Sequence, residues 1–167
     1  PDCQRLFPTT AGQTKCQSGS KGDPVSTFTG EFYRHESPDI ALDGRVPITF
    51  RRYYASGLEA AGLSGSLGTN WRHSFEWRVA VAGSTVTVFT PEGRELTFED
   101  DASVWTPASS NSVGVRMVAG SVSTGYRVFD PRTDLTYSFD PTGFLTSIED
   151  PAGNDLALSY TGSDLTS

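Results

Sequence analysis

The spacing of its Asp-Pro steps constrains this chain more than any other feature. Asp130-Pro131, Asp140-Pro141 and Asp150-Pro151 follow one another at intervals of ten residues. The second and third continue to Gly143 and Gly153 as Asp-Pro-x-Gly, whereas the first reads Asp130-Pro131-Arg132-Thr133 and lacks the glycine. In such a step Asp suits the first turn position, where its carboxylate accepts from a backbone N–H two residues on. Proline presets φ for the next position, and glycine closes the turn. A turn of that size plus about six strand residues fills one repeat. "FTPEG" at 89–93 is a cousin with Thr in place of Asp. A tandem series of strand–turn units builds a growing sheet, because no single unit can bury its own apolar face. The series runs to the last residue, so the natural chain is expected to continue.

Upstream, strand patterns dominate and no stretch carries a convincing helical period. "WRHSFEWRVAV" at 71–81 alternates strictly: Trp71, His73, Phe75, Trp77, Val79 and Val81 against Arg72, Ser74, Glu76, Arg78 and Ala80. That pattern predicts one long antiparallel strand with a single face in a core. "PITFRRYYAS" at 47–56 predicts another, with Ile48, Phe50, Arg52 and Tyr54 on one face. "SGLEAAGLSGSLGTN" at 56–70 is a glycine-rich loop long enough to be functional or mobile. The expected fold class is all-β, an antiparallel hairpin meander of short strands.

Composition excludes several functions. Seventeen glycines and ten prolines favour turns, and the formal net charge is −7. A nucleic-acid binder shows a basic stripe. The basic doublet Arg51-Arg52 would send its side chains to opposite faces of a strand. No run approaches the roughly 18 apolar residues of a membrane span, and none resembles a signal-peptide core. The chain opens at Pro1 and reads as a trimmed fragment.

Residues 1–22 are polar and aperiodic and read as a flexible arm. Cys3 and Cys16 both fall there. Paired, they would close a short loop, stabilise by roughly 3 kcal/mol and indicate an oxidising compartment. The alternative is two free thiols in a floppy arm.

The front half carries three motifs: "GDPVSTFTGEF" at 22–32, "PITFRRYYAS" at 47–56 and "LGTNWRHSFEW" at 67–77. Together they resemble the domain that opens many proteins of the Rhs/YD-repeat family, which includes bacterial polymorphic toxins and the animal teneurins. Asp23, Pro24, Gly30, Arg52, Tyr54, Trp71 and His73 stand at marker positions of that resemblance. Asn70 stands where glycine is usual, a departure that bears on the turn before the third motif. "GFLTSIEDPAGNDLALSY" at 143–160 is similar to a YD repeat, with Gly143, Asp150, Gly153 and Tyr160 as its markers. The resemblance implies a β-sheet that spirals into a hollow shell, enclosing a C-terminal toxic domain in the toxin members. It divides the chain into the arm at 1–22, an opening β domain at 23–125 and truncated repeats at 126–167. This fragment would be a secreted or cell-surface structural piece, not an enzyme. Its partners would be the downstream repeats of the same polypeptide and the enclosed domain, with self-association through an exposed sheet edge.

Sharper readings compete with these. His73 is the most tempting catalytic side chain, but between Trp71 and Phe75 it reads as a core histidine with a hydrogen-bonded partner. Asp140 and Asp150 invite comparison with the self-cleaving aspartates of toxin shells, yet turn chemistry accounts for them. Acidic clusters at Glu99-Asp100-Asp101 and Glu149-Asp150 lack the spacing of a calcium loop. Two histidines and two distant cysteines do not form a zinc pattern, and no cofactor motif is present. The main rival is a stand-alone surface module that binds carbohydrate or protein through Trp71, Trp77, Trp105 and the tyrosines.

Overall fold

The computed structural model describes Val25 and residues 30–101, 104–108 and 114–167. Cys3, Cys16, Asp23 and Pro24, with the expected arm at 1–22, lie outside the described residues. Among those residues the protein is all-β, built from sixteen short antiparallel strands and no helix.

Two sheets form the body. A four-stranded meander runs β6 (Arg78–Ala82), β7 (Thr85–Phe89), β8 (Glu95–Asp101) and β9 (Val104–Pro107). A five-stranded meander follows as β10 (Arg116–Ser121), β11 (Gly125–Asp130), β12 (Leu135–Phe139), β13 (Leu145–Glu149) and β14 (Asp155–Ala157). Both sheets face one core. Val86, Val88, Leu96 and Phe98 from the first meet Val128, Tyr137, Phe139, Leu145 and Ile148 from the second. Alternation within each strand supplies these residues, as in "TVTVF", where Val86 and Val88 are buried. Burial of each large side chain contributes about 1.5–3 kcal/mol. The sheets touch at two seams. β9 lies against β10. On the other side the Val79 N–H donates to the Gly143 carbonyl at 2.9 Å, and Arg78 bridges to Phe144.

The ten-residue turns form as their chemistry requires. The Asp140 carboxylate accepts from the N–H of Thr142 at 2.8 Å and of Phe144 at 3.0 Å, while the Gly143 N–H donates to the Asp140 carbonyl at 3.0 Å. Asp150 repeats this with Ala152, Asn154 and Gly153 at 2.9, 2.8 and 3.1 Å. Gly143 and Gly153 hold φ of 87° and 80°. At 90–94 the Thr90 hydroxyl accepts from the Arg94 N–H at 3.1 Å, the part Asp plays elsewhere. The turn without glycine differs in detail. There the left-handed residue is Asp134, with φ 58°, one position later, and buried Asp130 is clamped by Arg132 at 2.6 and 2.9 Å.

The front segment departs from the sequence reading in two places. Neither 47–56 nor 71–81 is a single strand. The first divides at Arg51 into β3 (Ile48–Phe50), which pairs with β2 (Ile40–Leu42), and β4 (Arg52–Ala55), which lies between β1 (Tyr33–His35) and β5 (Trp71–His73). The break shifts the parity. Ile48 and Phe50 pack on the main core, but Tyr53 and Ala55, rather than Arg52 and Tyr54, are buried in a second small core with Leu58. The 71–81 stretch divides at a turn over Ser74 and Phe75, closed by the Glu76 N–H on the His73 carbonyl at 2.9 Å. β5 and β6 therefore belong to different sheets. Past β14 the chain makes one further small hairpin, β15 (Tyr160–Thr161) with β16 (Asp164–Leu165). Tyr160 thus opens a new hairpin instead of ending the β14 strand.

Candidate functional site

The described parts of the three front motifs converge on one another. Ser56 joins the first two: its hydroxyl accepts from the Phe32 N–H at 3.1 Å and its N–H donates to the Phe32 carbonyl at 2.9 Å. Ser74 joins the second and third. Its hydroxyl donates to the Thr49 carbonyl at 2.6 Å and accepts from the Arg51 N–H at 3.2 Å, while its own N–H donates to the Arg51 carbonyl at 2.9 Å. The breaks in the two expected strands are thus pinned to each other. Arg52 leaves the core and grips Asp39 with both guanidinium arms at 2.8 and 2.9 Å, which holds that exposed carboxyl below its usual range. Tyr54 meets Trp71 edge-on at 5.2 Å, and Arg52 sits over the same indole. Asn70 holds φ 63°, a region that glycine and asparagine tolerate best. Its side chain accepts from the Glu59 N–H at 2.8 Å and its carbonyl from Ala55 at 3.1 Å. Asparagine therefore meets the backbone demand that glycine would meet there.

Behind this junction lies a cavity of about 460 Å³. Its walls come from the loop at 62–66, the chain at 72–80, Phe89, Phe144, Tyr160 and Ser163. Four of the lining groups are ionisable and close in sequence: Arg72, His73, Glu76 and Arg78. Alternation predicts Arg72 and Glu76 on a solvent face. Instead Arg72 is 2% exposed and the Glu76 side chain 13%. The break at 74–77 lets the chain fold back, so Arg72 lies beneath its own turn and donates through Nη2 to the Glu76 carbonyl.

Glu76 organises the cluster. Oε1 accepts from the Ser66 N–H and hydroxyl at 2.6 and 2.7 Å, which ties the glycine-rich loop down. Oε2 accepts from the His73 N–H at 3.0 Å and lies 3.5 Å from Arg72 Nε. His73 stacks on Phe50 at 5.0 Å. Its Nδ1 accepts from the Phe75 N–H at 3.3 Å, so the ring proton sits on Nε2, which points toward Glu76 Oε1 at 3.5 Å. Burial lowers the His73 pKa, with Glu76 opposing and Arg72 reinforcing the shift. It is a neutral, fully engaged core histidine. Burial likewise draws the Arg72 guanidinium below its ordinary value, partly offset by Glu76. On the opposite wall Arg78 lies over the Phe144 ring at 3.5 Å, and Phe144 tilts against Tyr160 at 5.0 Å. Burial pushes the Tyr160 hydroxyl up to about 12.

The remaining sequence candidates fall elsewhere. Trp77 stacks on Tyr137 at 4.4 Å inside the main core, and Trp105 packs on its edge against Tyr126. The three tryptophans form no common platform. Asp140, Gly143, Asp150 and Gly153 are turn residues, and Gly30 precedes the buried Glu31, whose carboxylate accepts from the Gly57 N–H at 2.8 Å. Glu149 pairs with Arg127 at 3.0 Å, and Glu99 accepts from Thr85. Among the described residues no three His, Cys, Asp or Glu side chains converge where a metal ion could be held, and no helix is long and apolar enough to cross a membrane. Periodicity concealed the cavity cluster. The available signal was three charged residues within seven, Arg72, Glu76 and Arg78, in an otherwise aromatic stretch.

Among known families, one described as a domain of unknown function (DUF6531) matches residues 22–98, a little under half of the chain. The match spans all three front motifs and the cavity's ionic cluster, ends within β8, and stops before the ten-residue turns.

Proposed function

We propose that this chain is the structural, non-catalytic opening portion of an exported Rhs/YD-repeat protein, helping to build or close a β-shell around a C-terminal toxin. The observation that carries the reading is the interlock of the three front motifs through Ser56, Ser74 and Asn70. Motif residues that spend their polar atoms on joining strands suit a scaffold. The repeated turns support it from the other end, since identical Asp-centred hairpins extend one sheet by addition. The partners would be downstream repeats and the enclosed domain, the setting secretion or the cell surface, and the role competition between bacteria. Immunoblotting of source-cell fractions with an antibody to this chain tests it. A secreted or surface band far larger than 18.0 kDa is expected. A single band near that mass would sink the shell reading.

A second reading, a surface module that binds a ligand, draws on the cavity beside the Arg72–Glu76 cluster. A glycan or peptide that raises the melting temperature would favour it.

A further inference from the structure

The cavity has a chemical bias of its own. The Nη1 atoms of Arg72 and Arg78 are both buried and have no hydrogen-bond partner among the described residues. Both residues line the same space. A buried guanidinium N–H left unmet costs more than a neutral one, so such atoms favour an incoming acceptor. Among the described residues the other charge on the wall is Glu76, whose oxygens are already taken by Ser66 and His73. With His73 neutral, the wall carries two cations against one anion. One negative charge balances it, and two would not. The rest of the lining is largely apolar, with Leu63, Phe75, Trp77, Phe89 and Phe144, and the volume suits a small organic molecule.

We propose that this cavity binds a monocarboxylate carried on an apolar or aromatic body, which pairs with the guanidinium groups of Arg72 and Arg78 that line it. The planar guanidinium suits a carboxylate, and low local polarity strengthens the pairing. The Arg78–Phe144 stack fixes one donor, and the Arg72–Glu76 contact fixes the other. The carboxylate can be a free acid or the side chain of an acidic residue flanked by aromatics.

The test is a titration of the whole 167-residue chain, followed by calorimetry and by the Trp77 indole N–H resonance. The probes are 3-phenylpropionate, its uncharged amide, the peptide acetyl-Phe-Glu-Phe-amide, its Gln counterpart, and inorganic phosphate. Millimolar or tighter binding of the acid or the Glu peptide is expected, and whichever binds identifies the source. The amide or Gln form should bind about tenfold more weakly, as loss of a charge-assisted pair requires. Arg78→Gln should weaken carboxylate binding by a similar factor with the near-ultraviolet spectrum unchanged. The wild-type comparison of charged and uncharged probes needs no variant to fold. Absence of binding by both carboxylates, equal binding of the uncharged forms, or tighter binding of phosphate would overturn the proposal.

Discussion

Gly143 and Gly153 form a natural matched pair, because their turns share one hydrogen-bond pattern and nearly one φ. What differs is the surroundings. A Cβ on Gly153 would meet nothing within 4 Å, whereas one on Gly143 would run into the carbonyl oxygen of Val79. Gly153→Ala therefore carries only the left-handed backbone cost, about 1–2 kcal/mol. Gly143→Ala carries the same cost and must also push β6 away, at about 1–3 kcal/mol for overpacking. It further endangers the Val79–Gly143 hydrogen bond, about 1 kcal/mol net. The loss at Gly143 should exceed that at Gly153 by about 2 kcal/mol or more. Urea unfolding followed by Trp77 fluorescence gives both values, with an unchanged denaturant slope as the check on two-state behaviour. Hydrogen exchange at the Val79 amide should accelerate in Gly143→Ala alone. Equal losses in the two variants would refute this account of the seam, and with it the claim that the β12–β13 turn holds the second sheet against β6.

The ionic cluster should respond to charge removal and to pH. Glu76→Ala strips the partner from buried Arg72 and from the Ser66 and His73 N–H groups. It should cost about 3–5 kcal/mol, as loss of one member of a buried pair does, and expose the 62–66 loop to limited proteolysis. A loss under about 1 kcal/mol, within the range of an exposed ion pair, would count against the cluster. Burial holds the folded pKa of His73 below the ordinary 6.5 of histidine. The unfolded chain therefore binds the proton more readily, and this contribution is full above pH 6.5 and is lost as pH falls through the folded value. Melting temperature should hold level above about pH 6.5 and then decline, and His73→Gln should flatten that decline. Asp130 and Asp140 add a second step at lower pH. Burial alone would raise both carboxyls, but Arg132 around Asp130 and the Thr142 and Phe144 donors around Asp140 hold them below 3.8. Their stabilisation is present above that value and lost beneath it.

The meander was legible because turn chemistry is local. Asp140 and Asp150 satisfy their own turns through atoms two and four residues away, so a ten-residue window contains the whole cause. The strand breaks were not legible, because their cause is distant in sequence. Arg51 leaves its strand where Ser74, twenty-three residues on, takes its N–H and carbonyl. Period-2 alternation survives through such a break on one side and fails on the other. His73, Phe75, Trp77 and Val79 stay buried across the turn, but Ile48 and Phe50 are followed inward by Tyr53 and Ala55. Alternation reports which residues seek a core and cannot report that there are two. Arg72 was misplaced for the same reason: its burial depends on a turn that the pattern conceals.

In the front segment the polar atoms of His73 and Ser74 are committed to strand junctions and turns. A general base needs a free lone pair, a reachable proton and a pKa near the working pH. His73 has Nδ1 occupied by Phe75, Nε2 turned to Glu76 and a pKa lowered by burial. Ser74 has its hydroxyl committed to Thr49 and Arg51. Neither can act as a nucleophile or base without dismantling a strand junction. Among the described residues the buried side chains with an unpartnered polar atom are Tyr53, Arg72 and Arg78, whose hydroxyl and guanidinium groups hold their protons near neutrality. The front segment thus spends its histidine and serine side chains on holding strands together.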